Sequence, residues 1–395
     1  MKTNVGVFFG CMSVEHEISI ISAVQAMHSI DKTKYDITPV YVTKQGELYT
    51  GDALFDMDNY KDFGALIPKC HPVNITNTNG KVMLRFSDNK AFKKNPPIEL
   101  NVAFPIVHGT NCEDGSIQGF FEMLAIPYVG CDVLSSAIGM DKVFFKSVLL
   151  AENVPVLPCV SFYDKEYSKN RDLVLQNIED KFGYPVIIKP ANLGSSVGIS
   201  KAKNRDELSS AIELALSFSD KILAERAVTS MREINCSVLG DTDHCEASVL
   251  EEPIMHDEIL TYDNKYRGDS GSKGMASLSR KLPAELSDEK AEEIKEIAKK
   301  AFRAIGGSGV CRIDFIIDTA DNDKVYVNEA NTIPGSLSFY LWEAGGKDYS
   351  RLIDEMISLA FKRARKRANL MFTLNTNILS EKSFGFKGSK GVKRQ

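Results

Sequence analysis

The side chains that point most directly to chemistry in this sequence are a close set of oxygen ligands, Asp314, Glu329 and Asn331, with Arg312 beside them. Alternate residues of a strand share one face, so Arg312 should point with Asp314. The same rule pairs Glu329 with Asn331. One hairpin then presents a few hard oxygen ligands of the kind that Mg²⁺ prefers. Their small number leaves room for the ion to bind phosphate oxygens of a nucleotide triphosphate as well. An ordinary polar strand face is the alternative, but the convergence just before an Asn-Thr-Ile-Pro-Gly turn favours a metal site.

A segment rich in Gly and Ser, KPANLGSSVGISK at residues 189–201, follows a short apolar strand. Backbone N–H groups of such a loop can cradle phosphate oxygens, and Lys189 adds positive charge. Lys142, at a predicted helix start, is a second candidate phosphate ligand, although a lone lysine is usually a surface residue. A flexible linker is the alternative for the loop. Its position between a strand and a helix-like segment favours phosphate binding, and no G-x-x-x-x-G-K-[ST] run indicates a Walker-type site.

Further candidates lie at the ends of predicted strands. Glu225 closes a strand, and the segment that continues to Val228 has backbone groups suited to an adenine edge, with Glu233 near enough to reach a ribose. Glu15 begins the first helix and His108 follows another strand, at the edge where open α/β sheets bind ligands. The alternatives are an acid favoured by the helix dipole for Glu15 and an ordinary loop histidine for His108.

The elements that must position these residues follow from hydrophobic periodicity. Strands are predicted at 4–10, 36–42, 100–107, 184–189, 221–225, 233–239, 310–317 and 324–328. Helices are predicted at 14–30, 140–152, 206–219, 287–304 and 350–368.

A chain of 395 residues exceeds what one hydrophobic core usually supports, so several domains are expected. We predict an α/β domain at residues 1–135, an α+β unit at 136–222, a second α+β region at 223–370 and a flexible basic tail at 371–395. A cleft between these domains is the expected place for a ligand.

Bulk composition excludes several classes of protein. A net charge of −5 gives no reason to expect a nucleic-acid partner, and no segment reaches the roughly twenty apolar residues that span a bilayer. The N-terminus has no signal-peptide pattern. Eight cysteines without a Cys-x-x-Cys pair indicate reduced thiols, and therefore a cytoplasmic location.

Taken together, these segments closely resemble the D-alanine–D-alanine ligases of the ATP-grasp superfamily, up to about residue 368. The resemblance is carried, in order, by SVEHEIS (13–19), HG with EDG and QG (108–119), MDK (140–142), KPANLGSSVG (189–198), residues 262–266, RID (312–314) and NEANTIPG (328–335). It implies a three-domain ATP-grasp architecture, in part α/β and in part α+β, with a Rossmann-like N-terminal domain that binds the first substrate. Dimers are common in that family.

The resemblance also implies an activity and its residues. ATP would activate one D-alanine as D-alanyl phosphate, and a second D-amino acid would displace the phosphate, supplying a dipeptide for peptidoglycan precursors. The nucleotide would be bound by Lys142, Lys189, Ser196, Glu225, Arg226, Val228, Glu233 and Lys265. Two Mg²⁺ ions, or Mn²⁺, would be held by Asp314, Glu329 and Asn331. Catalytic roles fall to Glu15, Ser195, Tyr266, Arg312 and the Gly335 amide, and substrate contacts to Glu15, His108, Ser336 and Ser338.

The sequence departs from the family pattern after the Pro-Gly turn. Leu337, Tyr340 and Glu343 stand where the family usually has Thr, a Ser that captures the second substrate's carboxylate, and Pro. Cys112 stands where the family commonly has Gly. Three interpretations therefore remain, namely a D-alanyl–D-alanine synthetase, a ligase with another acceptor such as D-serine, and a nucleotide-binding protein without turnover. The first is favoured. Retention of every expected metal and phosphate ligand argues against a protein without turnover, and Tyr266 argues for an amine acceptor over a hydroxy acid.

Overall fold

The chain folds around three β-sheets, of seven, four and five strands. The structure is a computed structural model that describes residues 2–88, 95–194, 196–254 and 280–372. Within those ranges no helix is both long and apolar enough to cross a membrane.

The seven-stranded sheet is formed by the N-terminal part of the chain, in the order β6-β5-β4-β3-β2-β1-β7. Three of its strands are parallel, β1 (Thr3–Gly10), β2 (Tyr35–Val42) and β7 (Val102–Pro105), so their carboxyl ends meet at one edge. The antiparallel strands are β3 (Leu48–Thr50), β4 (His71–Thr78), β5 (Lys81–Phe86) and β6 (Ile98–Leu100). The helices of this part are α1 (His16–Ser29), α2 (Phe63–Leu66) and α3 (Ser116–Met123), with 3₁₀ turns at Asp52–Phe55, Met57–Lys61 and Ile67–Lys69.

The four-stranded sheet is antiparallel, in the order β10-β9-β11-β8. Its strands are β8 (Cys159–Tyr163), β9 (Val186–Pro190), β10 (Ser200–Ala202) and β11 (Lys221–Arg226). The helices before and around it are α4 (Val133–Met140), α5 (Lys142–Ala151), α6 (Asp164–Lys169), α7 (Arg171–Phe182) and α8 (Arg205–Leu216). The Gly- and Ser-rich segment therefore connects two paired strands, β9 and β10.

The five-stranded sheet is also antiparallel, in the order β14-β13-β12-β15-β16. Its strands are β12 (Met231–Gly240), β13 (Cys245–Pro253), β14 (Arg280–Lys281), β15 (Gly309–Asp318) and β16 (Lys324–Asn331). The helices are α9 (Asp288–Ala304), α10 (Phe339–Glu343) and α11 (Tyr349–Ala368), and a short 3₁₀ helix spans Gly335–Ser338.

The last helix, α11, packs against the N-terminal sheet. Its apolar stripe, which includes Leu352, Ile353 and Met356, is buried in the same core as the seven-stranded sheet. Complete burial of one such side chain contributes about 1.5–3 kcal/mol. In α9, by contrast, Ala298 and Phe302 pack against the five-stranded sheet. The N-terminal sheet and the C-terminal hairpin are therefore held in a fixed relation.

Two predicted elements are wrong in detail. The helix predicted at 140–152 is present as α5 but begins two residues later, because Asp141 is extended and its carboxylate accepts hydrogen bonds from the amides of Val143 and Phe144. The strand predicted at 100–107 is divided between two strands with different partners. The strands β3 to β5, β8 and β13 were not predicted, since their turn-rich surroundings and alternating polar residues obscure the pattern.

Candidate active site

One row of polar side chains crosses the five-stranded sheet. Glu251 on β13 is aligned with Asn235 on β12, which is aligned with Asp314 on β15 and then Glu329 on β16. Laterally aligned residues point to the same face of a sheet. These four residues line one cleft, and Arg280 on β14 contacts Glu251 at the outer end of the row. We refer to these five residues as the polar row.

The hairpin end of the row holds the predicted metal ligands together. Arg312 donates two hydrogen bonds to Asp314, at 2.6 and 2.8 Å, and the Asn331 amide nitrogen lies 3.0 Å from the second Asp314 oxygen. Glu329 lies 3.4 Å from the ammonium of Lys142. Burial opposes the charge of Arg312, but Asp314 outweighs burial and raises the pKa of the guanidinium well above its usual value. The strand alternation expected from the sequence is therefore what brings this group together.

The donor atoms of this group fit a divalent cation. Asp314 and Glu329 are cross-strand neighbours, and two carboxylates side by side repel each other unless positive charge lies between them. Because the Asn331 amide nitrogen is directed at Asp314, its oxygen is the atom that can act as a ligand. Among the described residues, no three His, Cys or acidic side chains gather as a metal centre. The candidate set consists of two carboxylates and one amide, all oxygen donors of the kind Mg²⁺ prefers.

Two buried lysines flank Glu225 beside this hairpin. Lys189 forms an ion pair with one oxygen of Glu225, and Lys146 lies 2.8 Å from the other. Burial alone would raise the pKa of Glu225, but Lys189 and Lys146 outweigh burial and lower its pKa to about 2. Lys189 also donates to the side-chain oxygen of Asn328, 3.1 Å away, at a β-bulge between β15 and β16. The sheet irregularity thus presents an extra polar side chain to a predicted phosphate ligand.

The same cleft is lined by every described residue of the predicted nucleotide set, namely Lys142, Lys189, Ser196, Glu225, Arg226, Val228 and Glu233. Lys142 is fixed by a hydrogen bond from its ammonium to the Leu193 carbonyl, 2.8 Å away, in the Gly- and Ser-rich segment. Arg226 forms an ion pair with Asp318, at 2.7 Å. The cleft therefore has cationic and apolar walls at its β9–β11 side, as a nucleotide site requires.

Glu15 lies between two loops that the sequence places far apart. A Cβ atom added to Gly109 would come 2.8 Å from a Glu15 carboxylate oxygen, and one added to Gly194 would come 3.1 Å from the same oxygen. Gly109 also has a φ of +80°, which other residues rarely adopt. The loop after β7, the loop after β9 and the start of α1 therefore meet at one buried carboxylate.

His108 connects the first helix to the turn after β16. Its Nδ1 lies 2.8 Å from the Ile333 carbonyl, and its Nε2 lies 2.9 Å from the Ser22 hydroxyl, which accepts a hydrogen bond from the Ser336 amide. Since a carbonyl can only accept, Nδ1 carries the proton. Complete burial lowers the pKa of His108 to about 4. The ring is therefore a neutral link between α1 and the Pro-Gly turn.

Glu113 is a second buried carboxyl group near Glu15. It accepts a hydrogen bond from the Gly109 amide at 3.1 Å. Burial, reinforced by repulsion from Glu15 and Glu329, raises the pKa of Glu113 to about 8. Near neutral pH, Glu113 is thus largely protonated.

The turn after Gly335 has unusual backbone geometry. Ser336, Leu337 and Ser338 have φ values of +49°, +53° and +50°, a left-handed conformation that is costly for residues other than glycine. The Ser336 hydroxyl donates to the Gln25 side chain at 2.7 Å, and Leu337 is buried in the N-terminal core. Ser338 is fully buried. A substrate contact from either serine stays a prediction.

The β14 end of the polar row contains a second charged cluster. The Arg280 guanidinium lies 3.3 Å from Glu251 and stacks 4.2 Å from the ring centre of Tyr340. Glu251 accepts a further hydrogen bond from Asn235 at 3.2 Å. Burial raises the pKa of Tyr340, whose charged neighbours also include Arg312. This cluster therefore lies beside the arginine of the hairpin.

Three predicted site residues, Ser195, Lys265 and Tyr266, lie outside the described residues, as do positions 373–395 of the predicted tail. Sequence reasoning assigned no role to Lys146, Glu113, Glu251 or Arg280. A signal existed only for Lys146, which follows Lys142 by four residues and therefore shares its helix face.

Two family descriptions match the chain and together cover most of it. Residues 4–131 match the family described as D-ala D-ala ligase N-terminus, and residues 148–358 match D-ala D-ala ligase C-terminus.

Curated relatives match over nearly their whole length. A D-alanine–D-alanine ligase of Caldicellulosiruptor bescii is 43% identical over 379 residues, which cover 94% of this chain and 99% of the relative. One from Thermosipho melanesiensis is 39% identical over 381 residues, or 96% of this chain and 99% of the relative.

Solved structures share the fold. The D-alanine–D-alanine ligase of Coxiella burnetii has a TM-score of 0.78 at 29% identity, covering 93% of this chain and 96% of that one. The VanG D-Ala:D-Ser ligase of Enterococcus faecalis has a TM-score of 0.76 at 30% identity, covering 91% of this chain and 100% of that one. The predicted fold class is confirmed, whereas the boundaries at 135, 222 and 370 stay predictions.

Proposed function

This chain belongs to the D-alanine–D-alanine ligase family, and on that premise we propose that it joins two molecules of D-alanine in an ATP-dependent reaction. The observation that carries the proposal is the hairpin group of Arg312, Asp314, Glu329 and Asn331, gathered in one cleft with Lys142 and Lys189. The dipeptide would enter peptidoglycan precursor synthesis. Identity near 40% to D-alanine–D-alanine ligases favours D-alanine as the acceptor over D-serine.

The first half of the reaction activates a carboxyl group. A carboxylate is a poor electrophile, so one carboxylate oxygen of D-alanine attacks the terminal phosphorus of ATP, and ADP leaves with the electron pair of the broken bond. Lys142 and Lys189 would bind the phosphates and offset their charge. Asp314, Glu329 and Asn331 would hold two Mg²⁺ ions, or Mn²⁺, which when bound neutralise the transferring phosphoryl group.

The second half forms the peptide bond. The neutral amine of the acceptor forms a bond to the acyl carbon, the carbon–oxygen bond to phosphate breaks, and the departing phosphate takes the proton that the nitrogen gives up. Arg312 and the Gly335 amide would stabilise the oxyanion between those steps, where one donor is typically worth about 3 kcal/mol. Glu15 would orient the ammonium of the first D-alanine and, with Ser195 and Tyr266, link the two substrates across the site.

We also propose that the enzyme works in the cytoplasm as a homodimer. All eight cysteines are free and seven are buried, which suits a reducing compartment that also supplies ATP. The dimer is proposed by analogy with the family alone.

The test of this function is product formation by the purified chain. With ATP, Mg²⁺ and D-alanine, phosphate release should depend on D-alanine, and mass spectrometry should find D-alanyl–D-alanine. Phosphate release that D-alanine leaves unchanged would reject the proposal. With D-alanine and D-serine present together, a mixed D-alanyl–D-serine product in excess would instead identify the second candidate acceptor.

A further inference from the structure

We propose that Arg280 binds the carboxylate of the acceptor D-amino acid, and that Glu251 and the ring of Tyr340 hold its guanidinium in place for this contact. The proposal rests on the proposed function and adds to it the residue that recognises the second substrate. Neither phosphoryl transfer nor the oxyanion makes use of these three residues.

The position of the cluster follows from the polar row. The β16 end of the row holds the phosphate and metal ligands, so the reacting acyl group must lie near Arg312, which donates to Asp314. Neighbouring strands are about 4.8 Å apart, so Glu251, two strands away from Asp314, lies about 10 Å along the row. Arg280 stacks on the Tyr340 ring, and both Tyr340 and Glu251 lie close enough to Arg312 to act on its charge. An amino acid whose nitrogen attacks beside Arg312 would direct its carboxylate toward this second guanidinium.

The chemistry of the cluster fits an anionic group. A guanidinium is a planar fork of donors that matches a carboxylate, and it keeps its charge when buried. The side chain of Arg280 is 10% exposed and that of Glu251 is 4% exposed, so both are largely out of water. Arg280 reaches Glu251 at 3.3 Å, whereas Arg232 holds the adjacent Glu252 through two contacts of 2.7 and 2.8 Å. The contact between Arg280 and Glu251 is thus longer than those between Arg232 and Glu252.

Tyr340 explains how the guanidinium keeps its orientation. Its ring lies 4.2 Å from the guanidinium carbon and is itself 8% exposed. A cation held against an aromatic face loses little further freedom when a ligand binds, and the contact stabilises the charge. Glu251 is kept on the other side by Asn235. Arg280 is therefore positioned before the acceptor arrives.

The experiment uses an acceptor without a carboxylate. D-Alaninamide has no carboxyl group to activate, so it can serve only as the second substrate. The full chain is given ATP, Mg²⁺, D-alanine and D-alaninamide, and mass spectrometry measures the ratio of the acid dipeptide to its amide. In parallel, hydroxylamine traps the activated first substrate as D-alanyl hydroxamate, which needs no acceptor.

The wild-type chain should prefer the acid acceptor by about a hundredfold or more, because a site built for a charged partner rejects its neutral analogue. Arg280→Gln should reduce that preference at least tenfold while hydroxamate formation stays within about twofold. Arg280→Lys should keep an intermediate preference, since it keeps the charge without the fork. Tyr340→Leu should reduce the preference by a few-fold.

Two further variants separate this role from a structural one. Arg232→Gln breaks a comparable Arg–Glu pair, between β12 and β13, and should leave the preference unchanged. Arg280→Gln alone leaves the Glu251 carboxylate without its Arg280 partner. The double variant Arg280→Gln, Glu251→Gln removes both charges, so it measures the preference for the acid acceptor without that complication. The proposal is overturned if Arg280→Gln and the double variant both keep the wild-type preference for the acid acceptor. It is also overturned if hydroxamate formation falls as much as that preference does. Absence of hydroxamate from the wild-type chain would instead reject the proposed function itself.

Discussion

The two ends of the polar row differ in how their residues are brought together. At the β16 end, Arg312 to Asn331 lie within one hairpin, so strand alternation and register place them on one face. At the β14 end, the cluster draws Glu251, Arg280 and Tyr340 from three separate segments. The first end is a product of local structure and the second of tertiary packing. The residues proposed for phosphoryl transfer are therefore brought together by local structure. The residues proposed to choose the acceptor are brought together by contacts between distant segments.

The largest expected effect is at the β16 end. Glu329→Gln removes a metal-ligand charge at nearly constant volume, so it should lower ADP formation and hydroxamate formation alike, by about a thousandfold, or about 4 kcal/mol of activation free energy. Both are measured on purified protein whose circular dichroism spectrum matches the wild type. This result would differ from that of Arg280→Gln, which should spare hydroxamate formation.

The control for that variant is Glu292→Gln on the exposed face of α9, where Glu292 pairs with Lys295. It should keep full activity. Normal turnover by Glu329→Gln would show that the β16 end takes no part in the reaction. The proposed difference between the two ends of the row would then be wrong.

A smaller effect concerns the buried charges behind the β16 end. Lys146→Met removes one of the two cations beside Glu225, and breaking a buried ion pair on one side should lower the free energy of unfolding by about 3 kcal/mol. Denaturant titration measures the loss. Adding Glu225→Gln should not recover the loss, because the buried Lys189 then loses the carboxylate that it pairs with.

Lys169→Met, at the exposed end of α6, is the matched lysine substitution and should change stability by less than about 0.5 kcal/mol. Equal unfolding curves for Lys146→Met and the wild type would show that the lysine contributes nothing to this pair.

The smallest effect is a pH dependence of stability at His108, which holds the turn leading to Tyr340. Its pKa is about 4 in the folded chain and 6.5 when unfolded, so between those values the unfolded state binds a proton that the folded state does not. Stability should therefore be complete above about pH 7 and fall by about 2 kcal/mol as the pH drops to 5. The difference between wild type and His108→Gln in unfolding free energy, measured from pH 7 to 4.5, should shrink accordingly. Parallel curves for the two proteins would contradict this assignment.

Sequence reasoning reached the parts of the site that short-range rules govern. The i, i+2 grouping of Arg312 with Asp314 follows from strand geometry alone, and the structure has it. The helix predicted at 287–304 and the strand at 310–317 are also confirmed, because long periodic segments carry a strong pattern.

What could not be predicted depends on contacts between distant positions. Arg280 and Tyr340 are sixty residues apart, and nothing in either segment indicates that a guanidinium stacks on that ring. Likewise, the link from His108 through Ser22 to Ser336 joins three regions whose proximity comes from the burial of α11 on the first sheet. Neither hydrophobic periodicity nor motif spacing predicts which of these distant residues come into contact.

The alignment of the polar row has one more consequence. Because four of its members, from Glu251 to Glu329, are aligned on neighbouring strands, the spacing of the strands would set the separation of the two proposed substrate sites. A slip of any one strand by a single residue would turn its member to the opposite face. A change that shifts one strand should therefore abolish activity, and few variants of the sheet should keep partial activity.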